Sequence, residues 1–252
     1  MTQDITLERP TTHPGILVIR MTRPEKKNAI TRDMYGAMAV ALGDANGDDT
    51  VQAVVFFGVP GCFSSGNDLT DFLSIAEDTD EARNVKAFLH QLATLEKPLL
   101  SGVDGIAIGI GTTMNMHCDM TFATPRTVFR TPFTDLAVVP EAASSLIVPR
   151  LMGHQRAFAM LVAGIGFTAE QAREAGLIWS VVDEDELEKA TLDAASQIIN
   201  RPKQALKLSR QLVRGDSLEI LARMDEEMKL FLERLRSDEA TALYRSFLEK
   251  KR

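Results

Sequence analysis

Short apolar runs rich in β-branched residues alternate with longer helical patterns along the first half of the chain. The helical periodicity predicts helices at 31–45, 82–94 and 109–117. The continuous apolarity of AVVFF is typical of a strand that is buried on both faces. Strands and helices in this alternation indicate an α/β fold with crossover connections. The runs that predict strands are GILVIRM (15–21), VQAVVFFG (51–58), PLLSGVD (98–104) and MTFAT (120–124).

From Ala143 onward the pattern is helical, and only LIWSVV (177–182) resembles a strand. FTAEQAREAG has both a start and a stop signal, with Thr168 as N-cap, Gln171 three residues later and Gly176 beyond the end. Helices are predicted at 143–152, 154–163, 168–175, 184–199, 202–213, 216–235 and 237–249.

One face of the predicted helix 216–235 is apolar. A cofactor-binding stripe would have this spacing, but packing is by far the commoner reason for it. We expect the face to be buried within the chain or, failing that, against another subunit. Its residues are Met224, Met228, Phe231 and Leu235.

Composition limits the kind of protein this is. The 252 residues suffice for one large domain, with or without an appended subdomain. Hydrophobic residues make up 45% and charged residues 25% of the chain, as is usual for globular proteins. The net charge of -7 argues against general nucleic-acid binding, which depends on neutralising many phosphates.

We expect a cytoplasmic protein that does not span a membrane. Cys62 and Cys118 form no CxxC motif and fit a reducing compartment. Residues 1–14 have no apolar stretch typical of a signal peptide, and no apolar run approaches the ~18 residues of a membrane span. Residues 249–252 do not resemble a peroxisomal address.

Two glycine-containing stretches each follow a predicted strand. VDGIAIGIG carries Gly105, Gly109 and Gly111 ahead of an apolar helix, where glycine is costly unless the backbone must adopt an unusual conformation or approach another group closely. These glycines indicate either close packing of a buried helix or backbone N–H groups that are free to bind an anion. FSSGNDLTDF (63–72) has Gly66 after a VPGC turn, and SGND alone is an ordinary turn signal.

Together the two glycine stretches predict a more specific site. Ligands collect at the carboxyl ends of the strands in α/β sheets. N–H groups from two loops that converge on one oxygen would form an oxyanion hole. Such a site suits the enolate of a thioester or the tetrahedral intermediate of acyl transfer.

Glu141 is the carboxylate with the most unusual surroundings, because all residues from 138 to 143 except Glu141 itself are apolar or small. One interpretation is a carboxylate at the start of a helix, where it complements the helix dipole. The other is a general base whose apolar pocket raises its pKa toward neutral pH. Asp135 has more polar neighbours, and we expect it to be a turn or surface residue.

Several other kinds of site are not indicated. The four histidines have no metal-binding spacing, and we expect His117 to be a core residue on an apolar helix. The Walker A, G-x-G-x-x-G and G-x-S-x-G patterns do not occur. Two basic clusters, in 20–27 and 245–252, are mostly solvated side chains by their pattern, although each could hold a small polyanion.

In order and spacing, these motifs resemble those of the crotonase superfamily, the enoyl-CoA hydratase/isomerase family. The resemblance covers essentially the whole chain, from RPEKKNAI through FSSGNDL and VDGIAIGIG to FTAEQAREAGLIWSVV. It implies an α/β crotonase fold, with a spiral of β-β-α units in residues 1–183 and a helical C-terminal region in 184–252. It also implies that the helical region assembles a homotrimer or a dimer of trimers.

The resemblance further implies where an acyl-CoA would bind. The N–H groups of Asn67 and Ile110 would hold the thioester oxygen; many relatives have glycine at the second position, but only the backbone is used. Phe247 and Lys250 would reach the nucleotide of a neighbouring subunit. The remaining coenzyme A-binding residues implied are Lys27, Ala29, Ser65, Gly66, Asn67, Asp68 and Leu69.

Departures from the family pattern indicate the reaction. Hydratases of the family use two glutamates, and this chain has Thr113 and Phe133 at the matching positions. TPFTDLAVVPEAASS instead resembles the peroxisomal type of Δ3,Δ2-enoyl-CoA isomerase, where a single catalytic glutamate matches Glu141. The resemblance therefore implies an isomerase of fatty-acid metabolism whose substrate is a coenzyme A thioester and which needs no cofactor or metal. Another crotonase reaction such as hydration, thioester hydrolysis and non-catalytic acyl-CoA binding remain as alternatives.

Overall fold

The structure is a computed structural model that describes residues 2–68, 70–71, 74–75 and 82–249, except for the side chains of 244–249. Its strands are β1 (Ile5–Glu8), β2 (Ile16–Met21), β3 (Ala53–Phe57), β4 (Cys62–Ser64), β5 (Leu99–Val103), β6 (Ile106–Ile108), β7 (Met120–Ala123), β8 (Val128–Arg130), β9 (Phe167–Thr168) and β10 (Ser180–Val181). The helices with described bounds are α1 (Arg32–Gly47), α2 (Arg83–Thr94), α3 (Ile110–Thr113), α4 (Ser144–Leu161), α5 (Ala169–Glu174), α6 (Leu187–Ile199), α7 (Lys203–Arg214), α8 (Ser217–Leu235) and α9 (Asp238–Glu249). Single 3-10 turns lie at Pro24–Lys26, Met114–His117 and Thr134–Leu136.

The strands form two sheets. The larger sheet has the order β1-β2-β3-β5-β7-β10 and the smaller has the order β4-β6-β8-β9. All pairs are parallel except β1 with β2 and β8 with β9. Successive strands alternate between the sheets: β3, β5 and β7 enter the larger one, and each is followed by a strand of the smaller one. This alternation, with helical segments after each pair, is the predicted spiral of β-β-α units.

Burial on both faces of the larger sheet explains its apolar strands. All five residues of β3 are buried. Val54 and Phe56 join the main core with α1 and α2, while Val55 and Phe57 face a second cluster that α6 covers. Full burial of each such side chain contributes roughly 1.5–3 kcal/mol of transfer free energy. The sequence prediction of a strand covered on both sides is confirmed.

The short strands differ from the elements that the sequence pattern predicts. Strands β1, β4, β6, β8 and β9 have two to four residues each, too few for a recognisable alternation of apolar and polar positions. The whole smaller sheet was therefore unforeseen, and 177–182 is not the only strand after Ala143. The predicted helix 109–117 is one α-helical turn followed by a 3-10 turn. Gly153, at φ 77°, kinks α4 near the predicted break between two helices.

The last helices follow the prediction closely. Thr168 and Gln171 form the capping box of α5, with both reciprocal hydrogen bonds. Helix α8 packs against α2 and α4 and buries most of its apolar face in the main core. Helix α7 buries no residue and leaves Leu212 and Val213 85% and 88% exposed. The α/β class with a helical C-terminal region is confirmed, whereas the boundary at residue 183 stays a prediction.

Within the described ranges, no helix has the length and apolar character needed to cross a membrane.

Candidate active site

Two loops leave the carboxyl ends of neighbouring strands in the smaller sheet. Strands β4 and β6 pair in parallel, so their ends lie side by side. Gly66 and Asn67 follow β4, and Gly109 and Ile110 follow β6. The loops touch: a Cβ atom at Gly66 would lie 2.9 Å from the carbonyl oxygen of Ile108. The two glycine stretches of the sequence thus meet at one edge of the sheet.

The backbone N–H of Asn67 points away from Ile30, the residue with which Asn67 forms an isolated β-bridge. Its neighbours form a parallel bridge, since Ile30 N–H donates to Gly66 O (2.8 Å) and Asp68 N–H donates to Ile30 O (3.0 Å). In this pattern the N–H of the middle residue points away from the bridging segment. Within the described ranges it has no acceptor. The Asn67 side chain is fixed separately, because Tyr35 Oη–H donates to Asn67 Oδ1 (2.5 Å).

Ile110 supplies a second N–H without an acceptor among the described residues. Gly109, just before α3, has φ 55° and ψ -122°, a conformation that glycine adopts at little cost. Gly111 is required for another reason, because a Cβ there would lie 2.9 Å from Cβ and the carbonyl oxygen of Ser64. Close packing therefore explains Gly111, while at Gly109 the backbone leaves the Ile110 N–H without an acceptor, as the anion-binding explanation requires. The Ile110 side chain is buried in the core, and only its backbone is offered to a ligand.

Both loops open on a cleft of about 860 Å³. The cleft brings together every predicted acyl-CoA-binding residue that the structure describes in full. Leu69 and Lys250 lie outside the described residues, and so does the side chain of Phe247. The cleft also includes Phe133 and, from α8, the unpredicted Phe231. Its lining consists of Glu25, Lys26, Lys27, Ala29, Ser65, Gly66, Asn67, Asp68, Thr70, Ile108, Gly109, Ile110, Pro132, Phe133, Leu136, Val138 and Phe231.

Glu141 lies in a much smaller, largely apolar cavity that adjoins this cleft. The two spaces share Asn67 and Phe231 as walls. The small cavity holds about 30 Å³, and Glu141 is its single carboxyl group among the described residues. Its remaining walls are Tyr35, Ile75, Ala82, Val85, Leu89, Met228 and Leu232.

The environment of Glu141 favours the protonated form. Its side chain is buried, and this burial raises the pKa of the carboxyl group from 4.5 to about 8. A hydrogen bond from Thr113 Oγ1–H to Glu141 Oε1 opposes the rise, and the negative charge of Glu227 adds to it. Oε2 accepts no hydrogen bond from any described residue, so it is the oxygen available for proton transfer. A carboxyl group with a pKa near neutral can both take and return a proton.

The loop behind Glu141 is held by groups from distant parts of the chain. Ala142 and Ala143 have φ values of 59° and 55°, which are costly for residues with a Cβ atom. His117 Nε2–H donates to Ala142 O (2.8 Å). The Glu227 carboxylate accepts from Ala143 N–H (2.6 Å) and from Ser145 N–H (2.9 Å). The histidine is the buried core residue that its sequence position predicts.

Asp135 lies outside this arrangement. Its carboxylate is half exposed and pairs with Arg130 Nη2 at 2.8 Å, as expected of a surface residue.

Three side chains that support the site are not evident from the local sequence pattern as functional residues. Thr113, which in sequence is only a departure from the hydratase pattern, donates a hydrogen bond to Glu141. Tyr35 gave no signal beyond its place in an apolar helix. Glu227 did give one: it lies three residues after Met224 and four before Phe231, on the face predicted to be buried. A charged residue in such a stripe indicates a specific partner.

Comparison with known proteins identifies the family. A model of the enoyl-CoA hydratase/isomerase family matches residues 11–252, and the chain belongs to this family. Enoyl-CoA delta isomerase 2 from Rattus norvegicus is 37% identical over 86% of the chain, and its human counterpart is 34% identical over 96%. The chain spans 56% and 63% of the lengths of these two relatives. A mouse relative that is 32% identical is named enoyl-CoA delta isomerase 3, peroxisomal.

Solved structures agree with the fold. The structure of Pseudomonas aeruginosa OdaA is 37% identical in sequence and superposes with a TM-score of 0.91, covering 98% of this chain and 99% of that one. The resemblance to the crotonase superfamily is thereby confirmed in both sequence and architecture. The cytoplasmic location, the oligomeric state and the roles of the individual site residues stay predictions.

Proposed function

We propose that the protein is an acyl-CoA enzyme of the crotonase type, and specifically a Δ3,Δ2-enoyl-CoA isomerase, which moves the double bond of a 3-enoyl-CoA to the 2-position. One observation carries this proposal. Glu141 is buried in a cavity that shares Asn67 with the cleft where Asn67 and Ile110 have N–H groups without acceptors, and no second carboxyl group of the described residues lines that cavity. The isomerase names of the rat and human relatives support the same reaction.

In the proposed reaction, Glu141 Oε2 removes a proton from C2 of the acyl chain. The electron pair of the broken C–H bond delocalises over C2, C3, C4 and the thioester carbonyl as a dienolate. Asn67 N–H and Ile110 N–H donate to the developing oxyanion, where the loss of one such donor typically costs about 10²–10³-fold in rate. Glu141 then returns the proton at C4, and the double bond lies between C2 and C3.

A single carboxyl group suffices for this reaction because nothing is added to the substrate or removed from it. Hydration, by contrast, requires activation of a water molecule and delivery of a proton, for which hydratases of the family use two glutamates. Thr113 and Phe133 cannot act as the missing acids. Thr113 Oγ–H stabilises the ionised form of Glu141 and holds Oε1, which leaves Oε2 for the substrate.

Binding of the coenzyme A part is proposed to use the mouth of the large cleft. Lys26 and Lys27 are exposed there, and neither forms an ion pair with any residue that the structure describes. They are therefore available to the phosphates of the ligand.

The test is to incubate the purified protein separately with a 3-enoyl-CoA and a 2-enoyl-CoA and to determine the masses of the products. Isomerisation leaves the mass unchanged and creates a conjugated thioester that absorbs in the ultraviolet. Addition of water, release of free coenzyme A, or no reaction of either substrate would each contradict the proposal and indicate a hydratase, a thioesterase or a binding protein, respectively. Glu141→Gln should abolish the reaction. Asp135→Asn, which removes a surface carboxylate six residues away, should not.

A further inference from the structure

Glu227 is a buried carboxylate that the proposed reaction does not use. It is 4% exposed and lies on α8, whereas both of its backbone partners belong to the loop that carries Glu141. Burial of a charged group is costly unless its hydrogen bonds are satisfied. Each oxygen of Glu227 accepts a hydrogen bond from a backbone N–H group. These two hydrogen bonds explain why a carboxylate is buried in the core at this position.

Helix α4 cannot cap its own start. Its N-cap residue is Ala143, and no side chain of the local sequence accepts from the first turn. The first N–H groups of a helix need acceptors, and a negative charge there is favourable toward the helix dipole. Glu227 meets both needs from a distant helix, since it accepts from Ala143 N–H and Ser145 N–H.

The same two bonds hold a backbone that would otherwise relax. Ala142 and Ala143 both have positive φ, a conformation costing roughly 1–3 kcal/mol for each such residue. Such conformations persist where surrounding contacts enforce them. Glu227 accepts hydrogen bonds from two N–H groups of this segment, and His117 donates a hydrogen bond to its carbonyl oxygen at Ala142. Glu141 directly precedes the segment, so its direction depends on these contacts.

We infer that Glu227 is a positioning residue, which clamps the strained 142–145 backbone from α8 and thereby fixes the carboxyl group of Glu141 toward the cleft. The inference rests on the proposed role of Glu141 as the base. It assigns to the helical C-terminal region a part in the reaction beyond packing.

The charge of Glu227 has a second effect on the site. Among the described residues, the titratable groups around this segment other than Glu141 are Glu227 and Arg223 from α8, Tyr35 from α1, and His117, on which the charge of Arg214 from α7 also acts. Near pH 7 Tyr35 and His117 are neutral, because burial raises the pKa of Tyr35 and lowers that of His117 to about 4. Burial raises the pKa of Glu227, while its hydrogen bonds with Ser145 and Ala143 and the nearby charge of Arg223 oppose this rise. The negative charge of Glu227 raises the pKa of Glu141, so its removal should let Glu141 ionise at lower pH.

Two variants of Glu227 and one control test the inference. Glu227→Gln keeps the size but offers one acceptor oxygen in place of two and carries no charge. Glu227→Ala removes both hydrogen bonds. Glu233→Gln removes an exposed carboxylate from the same helix and serves as the control. Circular dichroism and thermal melting establish that each variant is folded. If the alanine variant does not fold, the isosteric glutamine variant still tests the inference.

Two readouts are needed. The first is kcat and KM for a 3-enoyl-CoA across pH 5–9, in which we expect kcat to fall about 10- to 10²-fold in Glu227→Gln with KM little changed, as for a misaligned catalytic group. The second is the titration of the Glu141 carboxyl band by infrared difference spectroscopy, assigned by its loss in Glu141→Gln. In Glu227→Gln its midpoint should move to lower pH, whereas the control should match the wild type.

The outcomes separate this inference from the proposed function. If the wild type does not isomerise 3-enoyl-CoA, the proposed function fails, and the infrared titration still decides whether Glu227 controls Glu141. A Glu141 midpoint in Glu227→Gln equal to that of the wild type would overturn the inference, as would an unchanged kcat. Reduced thermal stability with unchanged kcat and unchanged midpoint would show that Glu227 is a structural cap only.

Discussion

Replacing Glu141 with glutamine should make the protein inactive and more stable at the same time. Glutamine keeps the size of the side chain and an acceptor for Thr113 Oγ–H, but it cannot accept a proton from substrate. We expect kcat to fall at least ~10²-fold, the lower range for loss of a general base. Acyl-CoA binding should be nearly normal, because the large cleft and its two N–H groups are unchanged.

The gain in stability follows from the pKa of Glu141. A glutamate in the unfolded chain ionises near 4.5, whereas in the folded protein burial raises the pKa of Glu141 to about 8. Between these values the unfolded state has lost this proton and the folded state has kept it. Stability is therefore undiminished below pH 4.5 and falls as pH rises toward 8, by ~1.4 kcal/mol per pH unit. At pH 7 the loss is about 3 kcal/mol, and the glutamine variant avoids it.

The activity of the wild type should follow the same ionisation. With the pKa at about 8, roughly a tenth of the protein has ionised Glu141 at pH 7 and roughly nine tenths at pH 9. The profile of kcat/KM reports the free enzyme, so kcat/KM should rise about tenfold between these pH values.

Steady-state isomerisation and urea unfolding at pH 5, 7 and 8.5 measure both effects. The difference in unfolding free energy between Glu141→Gln and the wild type should grow with pH. Asp135→Asn provides the control, since it removes a half-exposed carboxylate and should show neither effect. The reasoning is refuted if Glu141→Gln retains near-wild-type turnover. It is also refuted if the variant gains no stability between pH 5 and 8.5.

Three further predictions concern the cleft, the glycine loop and the surface. Acyl-CoA should bind more weakly at high salt, because salt screens the attraction between exposed lysines and the phosphates of the ligand. Lys27→Ala or Lys250→Ala should also weaken binding, because each removes a positive charge. A Kd that is independent of salt in calorimetric titrations would contradict this prediction. Gly111→Ala should destabilise the protein by about 1–3 kcal/mol in urea unfolding, since its Cβ would lie 2.9 Å from Ser64, whereas Gly47→Ala has open space and should not. Light scattering should find a homotrimer or a dimer of trimers that covers the exposed apolar side chains of α7, and a monomer at micromolar concentration would contradict this prediction.

The features that were predicted correctly are those that short stretches of sequence determine. The central strands of the larger sheet are long enough for their apolar runs to stand out, and Thr168 with Gln171 is a complete capping motif. Gly109 is recognisable because its conformation is unfavourable for other residues. Glu141 was recognisable because its neighbours in sequence are apolar, although the apolar side chains that line its cavity come from other parts of the chain. The glycines indicated the two loops that could present backbone N–H groups, and the resemblance to the family assigned these groups to Asn67 and Ile110.

Features that depend on contacts between distant residues could not be predicted in this way. The smaller sheet is built from strands of two or three residues whose pairing is decided by the crossovers between the sheets. Thr113 and Tyr35 act on residues 28 and 32 positions away, and Glu227 acts on a backbone 84 positions away. The sequence around each of these residues does not indicate which distant group it will contact. The face of α8 indicated that position 227 would be buried, but not which N–H groups it would meet.

The distance in sequence between Glu227 and the segment it holds has a consequence for biosynthesis. Ala143 precedes Glu227 by 84 residues, which a ribosome adds in about 4–17 s at ~5–20 residues per second. During that interval the strands that present Asn67 and Ile110 can already pair, while the segment after Glu141 has no acceptor for its first helical N–H groups. In the proposed mechanism, a nascent chain therefore has the N–H groups for the oxyanion in place before its base is positioned. On the proposed role of Glu227, competence for catalysis begins only when α8 has left the exit tunnel and docked.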